Sequence, residues 1–325
     1  MAEIQQNINE SKNTIKVKEK KKITWKVIKS QRELIFMSVP FLAYIILFAY
    51  VPIWGWLMAF QNYRPGTSFF KQQWVGLKQF KDLFSYMGFG QVFRNTVAMS
   101  LINLILGFTS AIILALLLNE IKNRFLKRTV QTISYLPHFL SWIIATGIIA
   151  NVLSTDPAIG ILNNLLMKLN IIDQPIAFLS IPKLFWPIVG VANVWKEVGW
   201  NTIIYLAAIA SIDPALYEAA EMDGAGRFQK MIHITLPGIK PTFMVLLIMN
   251  IGHILDAGFE IQYFLGNGLV QDYSRTIDIF ALKYGIEQFN YSLATAAGIF
   301  KSVVSITLLF MANFIAGRIG EEKLV

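Results

Sequence analysis

Apolar residues along this chain gather into six windows of about twenty, the length a helix needs to cross a roughly 30 Å hydrocarbon layer while satisfying its own backbone hydrogen bonds. The windows fall at about 34–60, 97–118, 130–153, 184–210, 242–259 and 292–316. The first carries Pro40 and Pro52, which membrane helices tolerate, and the third contains Pro137 and His138. The fifth is the most mixed: its apolar run stops near Leu255 and needs the more polar stretch to 259 to span. The pattern predicts an all-α, polytopic membrane protein with about six transmembrane helices. Segment 1–33 reads as a basic tail and interfacial segment, 34–317 as the membrane domain and 318–325 as a short C-terminal tail.

Composition agrees with the pattern. Hydrophobic residues make up 55% of the chain and charged residues 15%, and the mean hydropathy is +0.51, outside the balance of a soluble domain. Charge then orients the chain, because Lys and Arg near helix ends are retained on the cytoplasmic side. With the first tail inside, the cytoplasmic segments hold about 18 basic residues and the external loops about 9. Both termini are therefore expected in the cytoplasm. Lys16, Lys18, Lys20, Lys21, Lys22, Lys26, Lys29 and Arg32 account for much of the net charge of +9. Beside a membrane span they serve topology and lipid headgroups, which leaves nucleic acid without a role. The first apolar segment is too long, and starts too late, for a cleaved signal peptide, so it is expected to stay as an anchor. Zero cysteines exclude disulfides and thiolate metal sites, and the three histidines, His138, His233 and His253, show no metal-ligand spacing. The phosphate-cradling Gly-x-x-x-x-Gly-Lys-Ser/Thr loop is missing, so no bound cofactor is expected and any ATP-driven work falls to partner subunits.

Between the fourth and fifth windows lies a polar, turn-broken insert, 211–241. Asp213 followed by Pro214 is a helix start, a side-chain acceptor at the N-cap and a pre-set φ in the first turn. Gly224 is a natural stop. The helix between them carries Glu218, Ala219, Ala220, Glu221 and Met222, and is too short and too acidic to cross a bilayer. Its alanines permit close approach of another surface, and its glutamates offer charges to basic groups there. A second short run, Phe228 to Ile234, is expected to end at Leu236 and Pro237, with Pro241 opening the fifth span. Two short helices at an angle make a knuckle.

The residues Glu218-Ala219-Ala220, Asp223-Gly224-Ala225, Phe228, Ile234 and Leu236-Pro237 resemble the coupling loop of binding-protein-dependent ATP-cassette importers. The resemblance runs along most of the chain beyond the tail, through Trp74-Val75-Gly76-Leu77, Phe93-Arg94-Asn95-Thr96, Tyr135-Leu136-Pro137, Gly199-Trp200, Tyr205-Leu206-Ala207-Ala208 and Asp213-Pro214, and points to the carbohydrate-uptake branch. It implies a permease subunit without its own ATPase site. That subunit pairs with a second, homologous permease and sits on two ATP-binding cassette subunits, which hold ATP and Mg. An external solute-binding protein delivers a saccharide, docking on loops at about 61–95, 154–183 and 260–291. Glu218 would pair with a basic residue in an ATPase cleft, Ala219 and Ala220 would fill the contact, Gly224 would set the bend, and Asp223 would pin the loop.

Polar side chains inside the spans are the remaining chemistry. At mid-bilayer a Lys or Glu costs on the order of 2.5–3.5 kcal/mol on insertion scales, so such groups face the bundle interior as structural glue or as a pathway. In the fourth window Asn193, Lys196, Glu197, Trp200 and Asn201 share roughly one helical face. In the fifth, Asn250, His253 and Asp256 cluster. His253 alone reads first as a packed helix residue. Lys301, inside the sixth, needs a water-filled cavity or an anionic partner; lining a path, it would suit uronate-containing saccharides. The competing functions are an importer of another solute and an ion-coupled secondary transporter. The latter would use the same intramembrane polar groups but has no reason to carry the knuckle, and no inverted repeat is evident. A membrane enzyme has still less support, since candidate acids and bases are scattered.

Overall fold

The structure, a computed structural model, describes residues 29–319 and is all-helical apart from one two-residue hairpin. The basic tail residues before Lys29 and the end of the C-terminal tail lie outside the described residues. The chain divides into two compact units, Met1–Gly55 and Trp56–Val325.

The first unit is represented by most of helix α1 (Arg32–Phe60). Its Arg32–Ile45 stretch has no buried residue, and side chains such as Phe36 and Phe41 are exposed on successive turns. A helix that is apolar on every face is stable in hydrocarbon rather than in water. Ahead of Pro52 the helix widens into a π turn at Ile46–Tyr50. The extra residue relieves the clash that a proline ring makes with the carbonyl four positions back.

The second unit opens with β1 (Gln61–Asn62) paired antiparallel to β2 (Gln73–Trp74). The Gln72 amide ties the intervening loop through Arg64 N, Arg64 O and Thr67 O. Helix α2 (Lys78–Ser85) follows, then α3 (Phe89–Glu120). Next come α4 (Arg124–Tyr135), a 3-10 turn at Leu136–Phe139, and α5 (Trp142–Val152). Helices α6 (Ile161–Lys168), α7 (Pro182–Ala210), α8 (Pro214–Met222) and α9 (Arg227–Gly252) continue the chain. Short helices α10 (Phe259–Leu265), α11 (Gln271–Ser274) and α12 (Ile277–Leu282, extended by a π turn at Lys283–Glu287) lead to α13 (Tyr291–Ile319).

Among the described residues four helices, α1, α3, α9 and α13, are long and apolar enough to cross a membrane, or up to six spans if two bent pairs are each one span. The bent pairs revise the expected spans. The window at 130–153 is not one straight helix: α4 with its 3-10 turn and α5 meet at 107°. Pro137 ends the first segment in 3-10 geometry, Leu140 is extended, and Ser141 caps α5 by accepting from Ile144 N. Helices α7 and α8 meet at 68°. The fifth helix also differs from its expectation. It starts at Arg227, runs through Pro237 and Pro241 and stops at Gly252. A π turn at Met231–Thr235 absorbs the bond that Pro237 cannot donate, so the second arm of the expected knuckle is the first turns of a spanning helix.

Helices α3 and α7 form the spine of the unit. At Gly190 a Cβ would stand 2.7 Å from Ile102 Cγ2, so glycine is what lets α7 lie on α3. Ala111 and Ala115, one turn apart and fully buried, make the same kind of seam against Tyr205, Ile209 and Ile239. Two further apolar clusters lie elsewhere: Met99, Phe185 and Val189 pack with Ala257 and Ile261, and Leu83, Phe89 and Val92 with Ile277 and Phe280. Between the α3–α7 spine and the break after α9 runs a track of polar side chains.

Candidate functional site

Two features have the chemistry of a working site: the exposed elbow at α8 and the polar track beside α7. At the elbow, Asp213 accepts from Ala215 N at 2.9 Å with Pro214 in the first turn, as an N-cap should. The helix closes through Ala225 N to Ala220 O (2.8 Å) and Gly224 N to Glu221 O (3.1 Å), with Gly224 at φ +79°, a conformation that L side chains rarely adopt. Tyr217 Oη and Thr235 Oγ1 are 3.0 Å apart, which fastens α8 to the start of α9. At Gly238 a Cβ would lie 2.5 Å from Ile212, so α9 is seated directly on the α7–α8 corner.

The elbow's outer surface presents Glu218, Ala219, Glu221, Asp223 and Gly224 to solvent, with Ala220 and Ala225 half-buried. Met222 and Phe228 are 88% and 70% exposed, an apolar pair among acids that a folded partner would cover. Glu221 reaches Lys230 at 3.4 Å in an exposed pair of small energetic weight. Glu218 has no ion pair among the described residues. Leu236 and Pro237 stand on α9 itself.

The polar face expected on α7 divides in two. Asn193 turns to α3, donating to Asn103 Oδ1 at 2.9 Å, and Asn103 donates in turn to Ala257 O at 3.4 Å. Asn201 lines a cavity of about 180 Å³ between α3, α7 and α9, together with Ser100, Asn103, Tyr205, Asn250, His253 and Asp256. Ser100 and Tyr205 also have hydroxyls that are buried without a protein partner. With amide, imidazole and carboxylate side chains in its walls, the cavity is polar enough to hold water or a hydroxylated ligand.

Lys196, Glu197 and Trp200 point elsewhere, into the α4–α5 corner. Lys196 Nζ donates to His138 O (2.9 Å) and Glu197 Oε1 (3.1 Å) and sits 5.0 Å from the centre of the Trp142 ring. His138 Nδ1 donates to Glu197 Oε2 at 2.7 Å, and its ring stacks on Trp200 at 4.4 Å. This mutual satisfaction is what permits an ammonium that is only 5% exposed inside an apolar bundle. Gly199 completes the contact: a Cβ there would come within 2.1 Å of Ser134 O.

Lys301 has the anionic partner that was one of its two expected forms of compensation. It is not a lone cation facing a path, because Asp256 Oδ1 (2.5 Å) and Asp278 Oδ1 (2.7 Å) bracket it. His253 Nδ1 donates to the other oxygen of Asp256 at 3.3 Å. Lys301 and its two carboxylates together carry a formal charge of −1. Asp256 lies in the break after α9, beyond the last turn of the helix, and Gly258 at φ +85° turns the chain there. Asn103, a single amide in an apolar run, was open to sequence reasoning as a site residue. Asp278 was not, since it lies outside every apolar window and only the fold brings it to Lys301.

Comparison with known proteins follows this geometry. Residues 103–321 match the family described as binding-protein-dependent transport system inner membrane component. The chain belongs to this family. The permease is 43% identical over 305 residues to Protein LplB of Bacillus subtilis (strain 168), covering 94% of this chain and 95% of that one. It is 41% identical to the polygalacturonan/rhamnogalacturonan transport system permease protein YteP of the same organism, covering 94% of each. Among solved structures it matches a chain of a bacterial ABC transporter involved in the import of the acidic polysaccharide alginate, with 39% identity and a TM-score of 0.84, covering 91% of the permease and 99% of that chain. A second match, at the same identity and TM-score, is the alginate transporter in complex with an alginate pentasaccharide-bound periplasmic protein. The permease is thus a multi-pass inner-membrane subunit of a bacterial ATP-driven importer, and its kin carry oligo- and polysaccharides.

Proposed function

We propose that this permease imports acidic, uronate-containing oligosaccharides or polysaccharide fragments. The observation that carries the reading is the 39% identity and TM-score of 0.84 to an importer of the acidic polysaccharide alginate, over 91% of the permease. Its likeness to a polygalacturonan/rhamnogalacturonan permease supports the same class.

In this reading the permease pairs with a second, homologous permease and rests on two ATPase subunits that hold ATP and Mg. Helix α8 is the coupling element: Glu218 and Glu221 meet basic groups of the ATPase, Ala219 and Ala220 fill the contact, and Asp223, Gly224 and Ala225 hold the turn. Because α8 is fastened to α9 around Leu236 and Pro237, its displacement reaches a spanning helix as a rigid push. Both termini and α8 are cytoplasmic, and the loops at 61–95, 154–183 and 260–291 face the binding protein.

Cargo contacts are drawn from the cavity lined by Asn201, Asn250, His253 and Asp256, with Asn193 behind it. The Lys196, Glu197 and Trp200 cluster beside His138 is the other candidate, since Trp200 is 44% exposed and offers an indole face to a sugar ring. Lys301 acts through Asp256 rather than by meeting cargo directly.

One observation favours a second reading, import of neutral saccharides: the Lys301, Asp256 and Asp278 group is net negative and repels a carboxylate. ATPase activity of the reconstituted complex separates the two. An acidic-cargo importer is stimulated by binding protein loaded with a uronate oligosaccharide and not with a neutral one, and the reverse holds for the second reading. Transport driven by an ion gradient without ATP would overturn both.

A further inference from the structure

A small cavity of about 70 Å³ opens between the α2–α3 turn and α12, away from the polar track. Its walls include Tyr86, Gln91, Arg275, Lys283 and Tyr284, and Met87 stands at its edge, 97% exposed. The Tyr86 and Tyr284 hydroxyls are hydrogen-bonded to each other, which leaves one of the two O–H groups free to donate outward. Burial and the neighbouring Tyr86 push the Tyr284 phenol up to about 12 against the opposing pull of Arg275, so the Tyr284 hydroxyl stays protonated at neutral pH.

Neither Arg275 nor Lys283 has a carboxylate partner among the described residues. Arg275 contacts the neutral Gln271 side chain. One turn along α3 from Gln91, Arg94 adds a third positive charge, held by Asp272 O at 2.9 Å and by Asn95 Oδ1 at 3.0 Å. Asp272 therefore offers its carbonyl to this region, and Asn95 Nδ2 donates to that same carbonyl and to Arg275 O.

Two cations, two hydroxyl groups and an amide among the side chains that line a space of about 70 Å³ suit one carboxylate group. The surroundings of that space favour a protein as the source: Ile286 and Phe289, on and just after the turn that carries Lys283, are 59% and 67% exposed, like Met87. A charged pocket ringed by apolar side chains is the anatomy of an interface hot spot.

We propose that this pocket receives an Asp or Glu side chain of the external solute-binding protein and fixes its register on the permease. The proposal rests on the importer reading and orientation given above, and it names the contact within the 61–95 and 260–291 loops. Its test uses the whole complex, with the partner permease and both ATPases, in lipid vesicles. The readout is the concentration of cargo-loaded binding protein that gives half-maximal ATPase stimulation.

Combining Arg275→Gln with Lys283→Gln is expected to raise that concentration about tenfold, the scale of a desolvated charge pair losing one partner. Basal and maximal ATPase rates stay unchanged, neutral and uronate cargo give the same shift, and the salt dependence of docking flattens. Arg275→Lys retains most of the affinity. If the double variant does not assemble, Lys283→Glu alone gives the same readout with a larger shift. An unchanged half-maximal concentration overturns the proposal. A shift confined to uronate cargo assigns the pocket to the saccharide instead, and a shift that vanishes in uncharged lipid assigns it to headgroup phosphate; either overturns it. A wild-type complex that no loaded binding protein stimulates fails earlier, at the importer reading itself.

Discussion

Lys301 shows how far a single side chain could be understood from its neighbours in sequence. An ammonium inside an apolar run demands compensation, and that demand is legible from the residue alone. What satisfies it is not, because Asp256 and Asp278 come from the break after α9 and from α12. Lys301→Met would leave two carboxylates facing each other without a cation. The group is partly open, with Asp256 54% and Asp278 28% exposed, so removing its cation costs less than the about 3–5 kcal/mol of a fully buried pair, and neutralising a stranded carboxylate recovers part of it. Lys301→Met is therefore expected to lower the melting temperature of the purified complex, and adding Asp278→Asn to restore a good part. Equal melting of the single and double variants would mean that the ion group carries no stability. The Lys196, Glu197 and Trp200 set teaches the same lesson from the other side. Helical spacing grouped them with Asn193 and Asn201, but a face as wide as that spacing allows can meet two neighbours, and here it meets the α4–α5 corner and the cavity separately.

Among the elements, α8 was legible nearly whole, since its start at Asp213 and Pro214 and its stop at Gly224 are local chemistry. Helix α9 was not. Two prolines read as a boundary, yet the helix passes through both because a π turn supplies the slack. The bend between α4 and α5 was likewise hidden inside one apolar window, although Pro137 and Ser141 mark it once the geometry is known. If α8 works as a lever, its own stiffness matters. Asp213→Ala removes the N-cap and is expected to cost about 1 kcal/mol, fraying the first turn. Gly224→Val forces a β-branched residue to φ +79° and opens the other end. Both variants are expected to keep membrane insertion and assembly while losing the stimulation of ATPase activity by loaded binding protein. Full stimulation in both would show that α8 does not transmit motion.

At the scale of the whole molecule the proposed orientation sends α8 into the cytoplasm and the 61–95 and 260–291 loops to the opposite side. The absence of cysteine from the chain makes this simple to measure. Met222→Cys, on the exposed elbow, is expected to react with a membrane-impermeant thiol reagent only in inside-out vesicles, and Met87→Cys only in right-side-out ones. The opposite pattern would reverse the reading of both surfaces. The sequence by itself determined the membrane class, the helical architecture and the elbow, because insertion into hydrocarbon and helix capping are decided by residues within one or two turns of each other. Only the tertiary structure decided which polar side chains share a site. Those meetings join positions such as Asn103 and Asn193, or Asp278 and Lys301, whose partners are set by the crossing of helices far apart in the chain. Local periodicity says which way a side chain faces along its own helix, but the neighbour it finds there depends on where glycines and alanines let the helices approach.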